Sequence, residues 1–111
     1  MTEPTIDPAT FAELQDTAGA DFVAELVGTF LEEAPQMLAE LRDARADAAA
    51  ERFRRAAHTL KSNSQTFGAT RLGTLARDLE LGGLPGDAGA LDALDAEYGR
   101  VAEALQALRH G

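Results

Sequence analysis

Apolar residues recur at intervals of three and four along most of the chain, interrupted by glycine, proline and short acidic stretches. That spacing predicts helices throughout and no strand. A short first helix is expected from Pro8 to about Asp16, with Asp7 as its N-cap and Pro8 at the first helical position, closed by Ala18-Gly19. The second, from about Ala20 to Ala46, places Phe22, Leu26, Phe30, Met37 and Leu41 on one stripe, and Val23, Val27, Leu31 and Leu38 widen it toward a half cylinder. That is more apolar face than one seam requires. Either the first helix covers the surplus or a partner docks there, through Val27 and Leu31. Pro35 removes a backbone donor inside this helix and is expected to bend it near Leu31 without breaking it.

Asp47 reads as the N-cap of a third helix reaching about Thr66, with a seam of Phe53, Ala57, Leu60, Ser64 and Phe67 spaced as in an antiparallel bundle. Gly68 closes it. A fourth helix, from about Ala69 to Leu81, turns Leu72, Leu75, Ala76 and Leu79 inward before Gly82-Gly83-Leu84-Pro85-Gly86 stops it. The last, from Asp87 to Arg109, carries Leu91, Leu94, Tyr98, Val101, Leu105 and Leu108 at the same alternation. The expected fold is all-α: an antiparallel up-and-down four-helix bundle with a short extra N-terminal helix, one domain over residues 1–111.

Composition narrows the function. With 111 residues, a single core suffices. The chain has no cysteine, so disulfides and thiolate chemistry are absent, and two histidines without a thiol argue against a structural zinc site. The amino terminus lacks the regions of a signal peptide and no apolar run is long enough to span a bilayer, which gives a cytoplasmic expectation. A net charge of −9 argues against nucleic acid or an anionic membrane as partner. Six of the ten basic residues nevertheless fall between Arg52 and Arg77, a cationic segment inside an acidic protein. A monomer is the default expectation.

At 100° per residue, Glu51, Arg54, Arg55, His58, Lys61, Ser62 and Gln65 share one side of the third helix, opposite the Phe53-Leu60-Phe67 seam. His58 therefore faces water among hydrogen-bond donors. An exposed imidazole keeps a ring-nitrogen lone pair near neutral pH and can attack phosphorus. The resulting negative group would be stabilised by the surrounding Lys and Arg donors. The nearest acid expected on this face is Glu51, two turns away, so no acid, base or metal ligand is expected beside the ring. Taken alone, a lone histidine on a basic helical face is more often a solvated residue than a functional one. His110, at the end of the chain, reads as a fraying residue.

The segment Ala56-Ala57-His58-Thr59-Leu60-Lys61-Ser62-Asn63-Ser64, with Gly68-Ala69 beyond it, resembles the signature of histidine-containing phosphotransfer (HPt) domains. Phe30-Leu31-Glu32-Glu33-Ala34-Pro35 is similar to the corresponding second helix of that family, and the order of five helices agrees over nearly the whole chain. The resemblance implies a phosphoryl carrier of two-component signalling, with His58 phosphorylated, Lys61 steadying the phosphoryl group, and Gln65 and Ser62 as further donors. Many members have glycine at the position of Ser62, where a serine narrows access or adds a hydroxyl donor. Arg54, Arg55, Leu31 and Val27 are the expected docking residues. The implied partner is a receiver domain of a response regulator or a hybrid histidine kinase, which would bring the acceptor aspartate and Mg²⁺. This chain would hold no cofactor of its own and, with no glycine-rich nucleotide cradle, would not be a kinase. A module that binds receivers without chemistry and a metal- or haem-binding bundle are the competing classes.

Overall fold

A computed structural model describes residues 4–110. Five helices follow one another: α1 (Pro8–Ala18), α2 (Ala20–Ala46), α3 (Ala50–Thr66), α4 (Thr70–Gly82) and α5 (Gly89–His110), with no strand among the described residues. Neighbours in contact are α2 with α3, α3 with α4, α4 with α5 and α5 with α2, while α1 lies on α2.

The seam read along α3 is the buried one: Phe53, Ala57, Leu60, Ser64 and Phe67 are all inside, joined by Ala56. The Ser64 hydroxyl, fully buried, donates to the Leu60 carbonyl at 2.7 Å, so the one polar side chain of this seam is satisfied within its own helix. Helix α4 brings Leu72, Ala76 and Leu79, and α5 brings Leu91, Leu94, Val101 and Leu105. Leu108, expected on the same stripe of α5, is exposed.

Helix α2 departs from its predicted stripe. Its buried line is Val23, Val27, Phe30, Ala34, Leu41 and Ala44, while Phe22 is exposed and Leu26, Leu31 and Met37 are half-buried. The stripe is rotated by about one residue because α1 covers the Val23–Val27 end, with Phe11 buried beneath it. The surplus apolar face is thus core, and Val27, fully buried, is no docking residue. Leu31 packs against the core, and its carbonyl accepts the Tyr98 hydroxyl at 3.4 Å. The helix runs unbroken through Pro35.

Two caps differ from expectation. Asp7 precedes α1 as predicted, but its side chain makes no capping bond to the helix backbone; its Oδ2 instead accepts the Thr10 hydroxyl at 2.6 Å. Asp47 ends α2 rather than starting α3, whose N-cap is Ala49. The turn between them needs Ala48 at φ 53°, and Asp47 is held in an ion pair with Arg52 at 3.0 Å. Asp47 lies two residues before the N-cap, inside the turn that closes α2, so its carboxylate is not placed to serve the orphan amides at the start of α3.

The turn from α3 to α4 positions the site. Gly68 sits at φ 78°, and a side chain there would meet Thr10 and Asp7, whose amide donates to the Gly68 carbonyl at 2.8 Å. The turn is therefore tied to the start of α1. It sends α4 back along α3 at close range, with Gly73 against the α3 backbone near Lys61 and Ser64.

Candidate functional site

His58 lies on the outer face of α3 with 54% of its side chain exposed, as its position opposite the buried seam requires. The reversal at Gly68 brings α4 alongside it. Residues some ten to twelve positions out on either side of the turn meet, and Glu80 of α4 arrives at His58 of α3. Its Oε2 is 2.6 Å from His58 Nδ1, and its Oε1 is 2.8 Å from the Lys61 ammonium. Glu80 is only 11% exposed and Lys61 only 20%, so the carboxylate is tucked between the helices beneath a cation and an imidazole.

This corrects the expectation that no acid stands beside the ring. On α3 alone that expectation holds, since Glu51 is two turns away. The acid comes from the next helix. Its signal in the sequence was the hairpin register: counting outward from Gly68 leaves Asp78 and Glu80 opposite His58, and the buried Leu72-Ala76-Leu79 line puts Glu80 at the edge of the α3–α4 seam while Asp78 is exposed.

Hydrogen bonds from Lys61 and then from His58 hold the Glu80 carboxyl below its ordinary value of 4.5, outweighing the burial that acts the other way. A group depressed in the folded state stabilises the fold above its unfolded value and loses that contribution as pH falls through its lower folded value. The stability gap between the wild type and Glu80→Gln is therefore expected to be constant above about pH 4.5 and to shrink below it. Urea midpoints collected from pH 3 to 6 read this directly, and a gap that widens on acidification would contradict it.

The cationic rim is less free than the helical wheel implied. Arg54 holds Glu51 through two hydrogen bonds, at 2.6 and 3.2 Å, and Arg55 lies 3.8 Å from the same carboxylate. Arg52 is engaged by Glu40 and Asp47. Ser62 and Gln65 are both exposed on α3, and no hydrogen bond joins either to His58. Of the predicted set, the structure brings together His58 and Lys61, through Glu80. The side chain of His110 lies outside the described residues.

Two grooves run between α2 and α3. One, of about 400 Å³, is lined by Met37, Glu40, Arg52, Arg55, Ala56 and Thr59, the last adjoining His58 in sequence. The other, of about 240 Å³, is largely apolar and is lined by Leu26, Phe30 and Phe67 with Glu33 and Asn63 at its polar edge. No helix among the described residues is long and apolar enough to cross a membrane.

The sequence matches the Hpt domain family over residues 25–110, which takes in most of α2, all of α3, α4 and α5, and both grooves. No curated protein sequence matches the chain. Among solved structures the fold is similar to that of histidine-containing phosphotransfer protein B (HptB) from Pseudomonas aeruginosa PAO1. The TM-score is 0.87 at 24% sequence identity, over 98% of this chain and 97% of that one.

Proposed function

The chain belongs to the Hpt domain family, whose members carry phosphoryl groups in phosphorelays, and from that membership we propose that His58 is the carrier residue, with Lys61 as its companion cation. The observation that carries this reading is the half-exposed imidazole of His58 on the outer face of α3, one helical turn from Lys61 and joined to it through Glu80. An acceptor of this kind must be open enough for a phosphorylated partner to come in line with a ring nitrogen. It also needs a donor ready for the incoming oxygens. The Lys61 ammonium has three N–H groups, so its contact with Glu80 leaves two for a phosphoryl group on His58.

In this reading α2 to α5 form an antiparallel up-and-down bundle in one domain, and the chain transfers without kinase activity of its own. In-line transfer and neutralisation of the equatorial oxygens use Mg²⁺ together with a cationic side chain. The metal and the exchanging aspartate belong to the receiver domain, and Lys61 is what this chain contributes. Arg54, Arg55 and the half-buried Leu31 remain docking residues, joined by Met37 and Thr59, which share with Arg55 the groove between α2 and α3. Ser62 and Gln65, exposed on the same helix, are further donors toward a bound phosphoryl group or partner.

The test is transfer from a panel of phosphorylated receiver domains in Mg²⁺. At least one donor is expected to place acid-labile label on this chain. Measurable binding to a receiver with no label from any donor would replace the carrier by a non-catalytic interaction module.

A further inference from the structure

Arg54 and Lys61 stand one helical turn before and after His58, at spacings of four and three that put all three on one stripe of α3. Side chains of a helix lean toward its N-terminus, so His58 overhangs the turn that carries Arg54, and a phosphoryl group on the ring is carried toward that turn. In the unphosphorylated protein Arg54 is turned to Glu51 instead. It forks onto the carboxylate, with Nη2 2.6 Å from Oε1 and Nε 3.2 Å from Oε2. Resting on the reading of His58 as carrier, we propose that Arg54 is a second phosphoryl-binding cation held in reserve by Glu51, exchanging that carboxylate for the phosphoryl group once His58 is loaded.

Charge and exposure both favour the exchange. The Arg54 side chain is 50% exposed and that of Glu51 63%, an ion pair of the kind that contributes little to stability and is readily given up. A phosphoryl group brings about −1.5 to −2 of charge and three strong acceptor oxygens, more than a single carboxylate offers, and the planar guanidinium fork suits either anion. Lys61 supplies one positive charge and shares it with Glu80 at 2.8 Å. A doubly charged group on His58 therefore still lacks a counter-charge, and Arg54 is the cation one turn away.

Position singles out Arg54 among the neighbouring arginines. Glu51, by hydrogen bonding and then by charge, holds the Arg54 guanidinium above its ordinary pKa, and the charge of Glu80 adds to this. Arg54 thus stands within electrostatic reach of the carboxylate that touches His58 and Lys61. Arg55 lies on the opposite edge of α3, lining the groove toward α2 with Met37 and Thr59. Arg52 is engaged by Glu40 and Asp47. Glu51 acts through Arg54: as a competing anion it weakens the hold on the phosphoryl group, which keeps onward transfer open.

The test reads the loaded state rather than the encounter. The chain is mixed with a phosphorylated receiver in Mg²⁺, and the ratio of label on the two proteins is measured at equilibrium, which docking contacts leave unmoved because they change forward and reverse rates alike. Arg54→Met is expected to lower this chain's share about three- to tenfold, Arg54→Lys to restore part of it, and Glu51→Gln to raise it. In an Arg54→Met background Glu51→Gln is expected to change nothing. An unmoved ratio in Arg54→Met, or a Glu51→Gln effect that survives without Arg54, overturns the proposal. A second reading needs no partner: loading with phosphoramidate is expected to move the Arg54 Nε–H signal in ¹⁵N spectra of the wild type. An unmoved signal on loaded protein refutes the exchange alone, whereas a wild type that accepts phosphoryl groups from neither donor refutes the carrier reading on which it rests.

Discussion

Phe53→Ala is expected to destabilise the protein by about 3–5 kcal/mol, the range for truncating a buried aromatic side chain. Phe53 is fully buried near the start of α3, the helix that contacts both α2 and α4. Removing the ring leaves a cavity that close-packed neighbours relax into only partly. Against a total stability of about 5–15 kcal/mol, such a loss unfolds a large fraction of the protein at modest urea concentration. The urea midpoint at 25 °C reads the effect. A decrease below about 1 kcal/mol would mean that the α3 seam is not the centre of the core. The site depends on this packing, because His58 and Glu80 meet only while α3 and α4 stay paired.

His58→Gln carries the largest functional effect: complete loss of phosphoryl acceptance with little change in the fold. The side chain is half exposed, and its one hydrogen-bond partner, Glu80, keeps Lys61 after the substitution. Surface changes of this kind fall within about 0.5 kcal/mol. Thermal melts and helical circular dichroism of the variant should overlay those of the wild type, while label from a phosphorylated receiver falls to background. Label at the wild-type level in the variant would remove His58 from the chemistry, and a collapsed melt would make its role structural.

The helices and the α3 seam were legible because both depend on local periodicity, and Phe53, Ala57, Leu60, Ser64 and Phe67 lie where their spacing put them. The α2 stripe was legible in kind and wrong in phase. A face with apolar residues over half its circumference does not reveal which edge a second helix covers, and α1 covers Val23 and Val27 rather than Phe22. Asp47 failed as a helix start because α2 runs on to Ala46 and the turn extends through Ala48 and Ala49, a boundary that propensity does not encode.

At the site, the exposure of His58 and the nearness of Lys61 followed from a single helix. Glu80 did not, since its place beside the ring is a property of the α3–α4 hairpin and of the Gly68 turn that sets its register. The same limit explains the arginines. The helical face of Arg54 and Arg55 was right, but Glu51 engages both, as Glu40 and Asp47 engage Arg52, and only the folded chain shows which acids are within reach.

The central claim, that the phosphoryl group resides on His58, is tested most directly by locating it. Protein labelled by a phosphorylated receiver in Mg²⁺ is digested with trypsin at neutral to alkaline pH, and the modified peptide is sequenced by mass spectrometry under conditions that spare a P–N bond. Cleavage after Arg55 and Lys61 releases Ala56-Ala57-His58-Thr59-Leu60-Lys61, in which His58 and Thr59 are the side chains able to carry the group, since trypsin cleaves after Lys61 only when its amine is free. The expected result is an acid-labile phosphoryl group on His58 in that peptide. Label on Thr59, or on any peptide other than this one, would contradict the account.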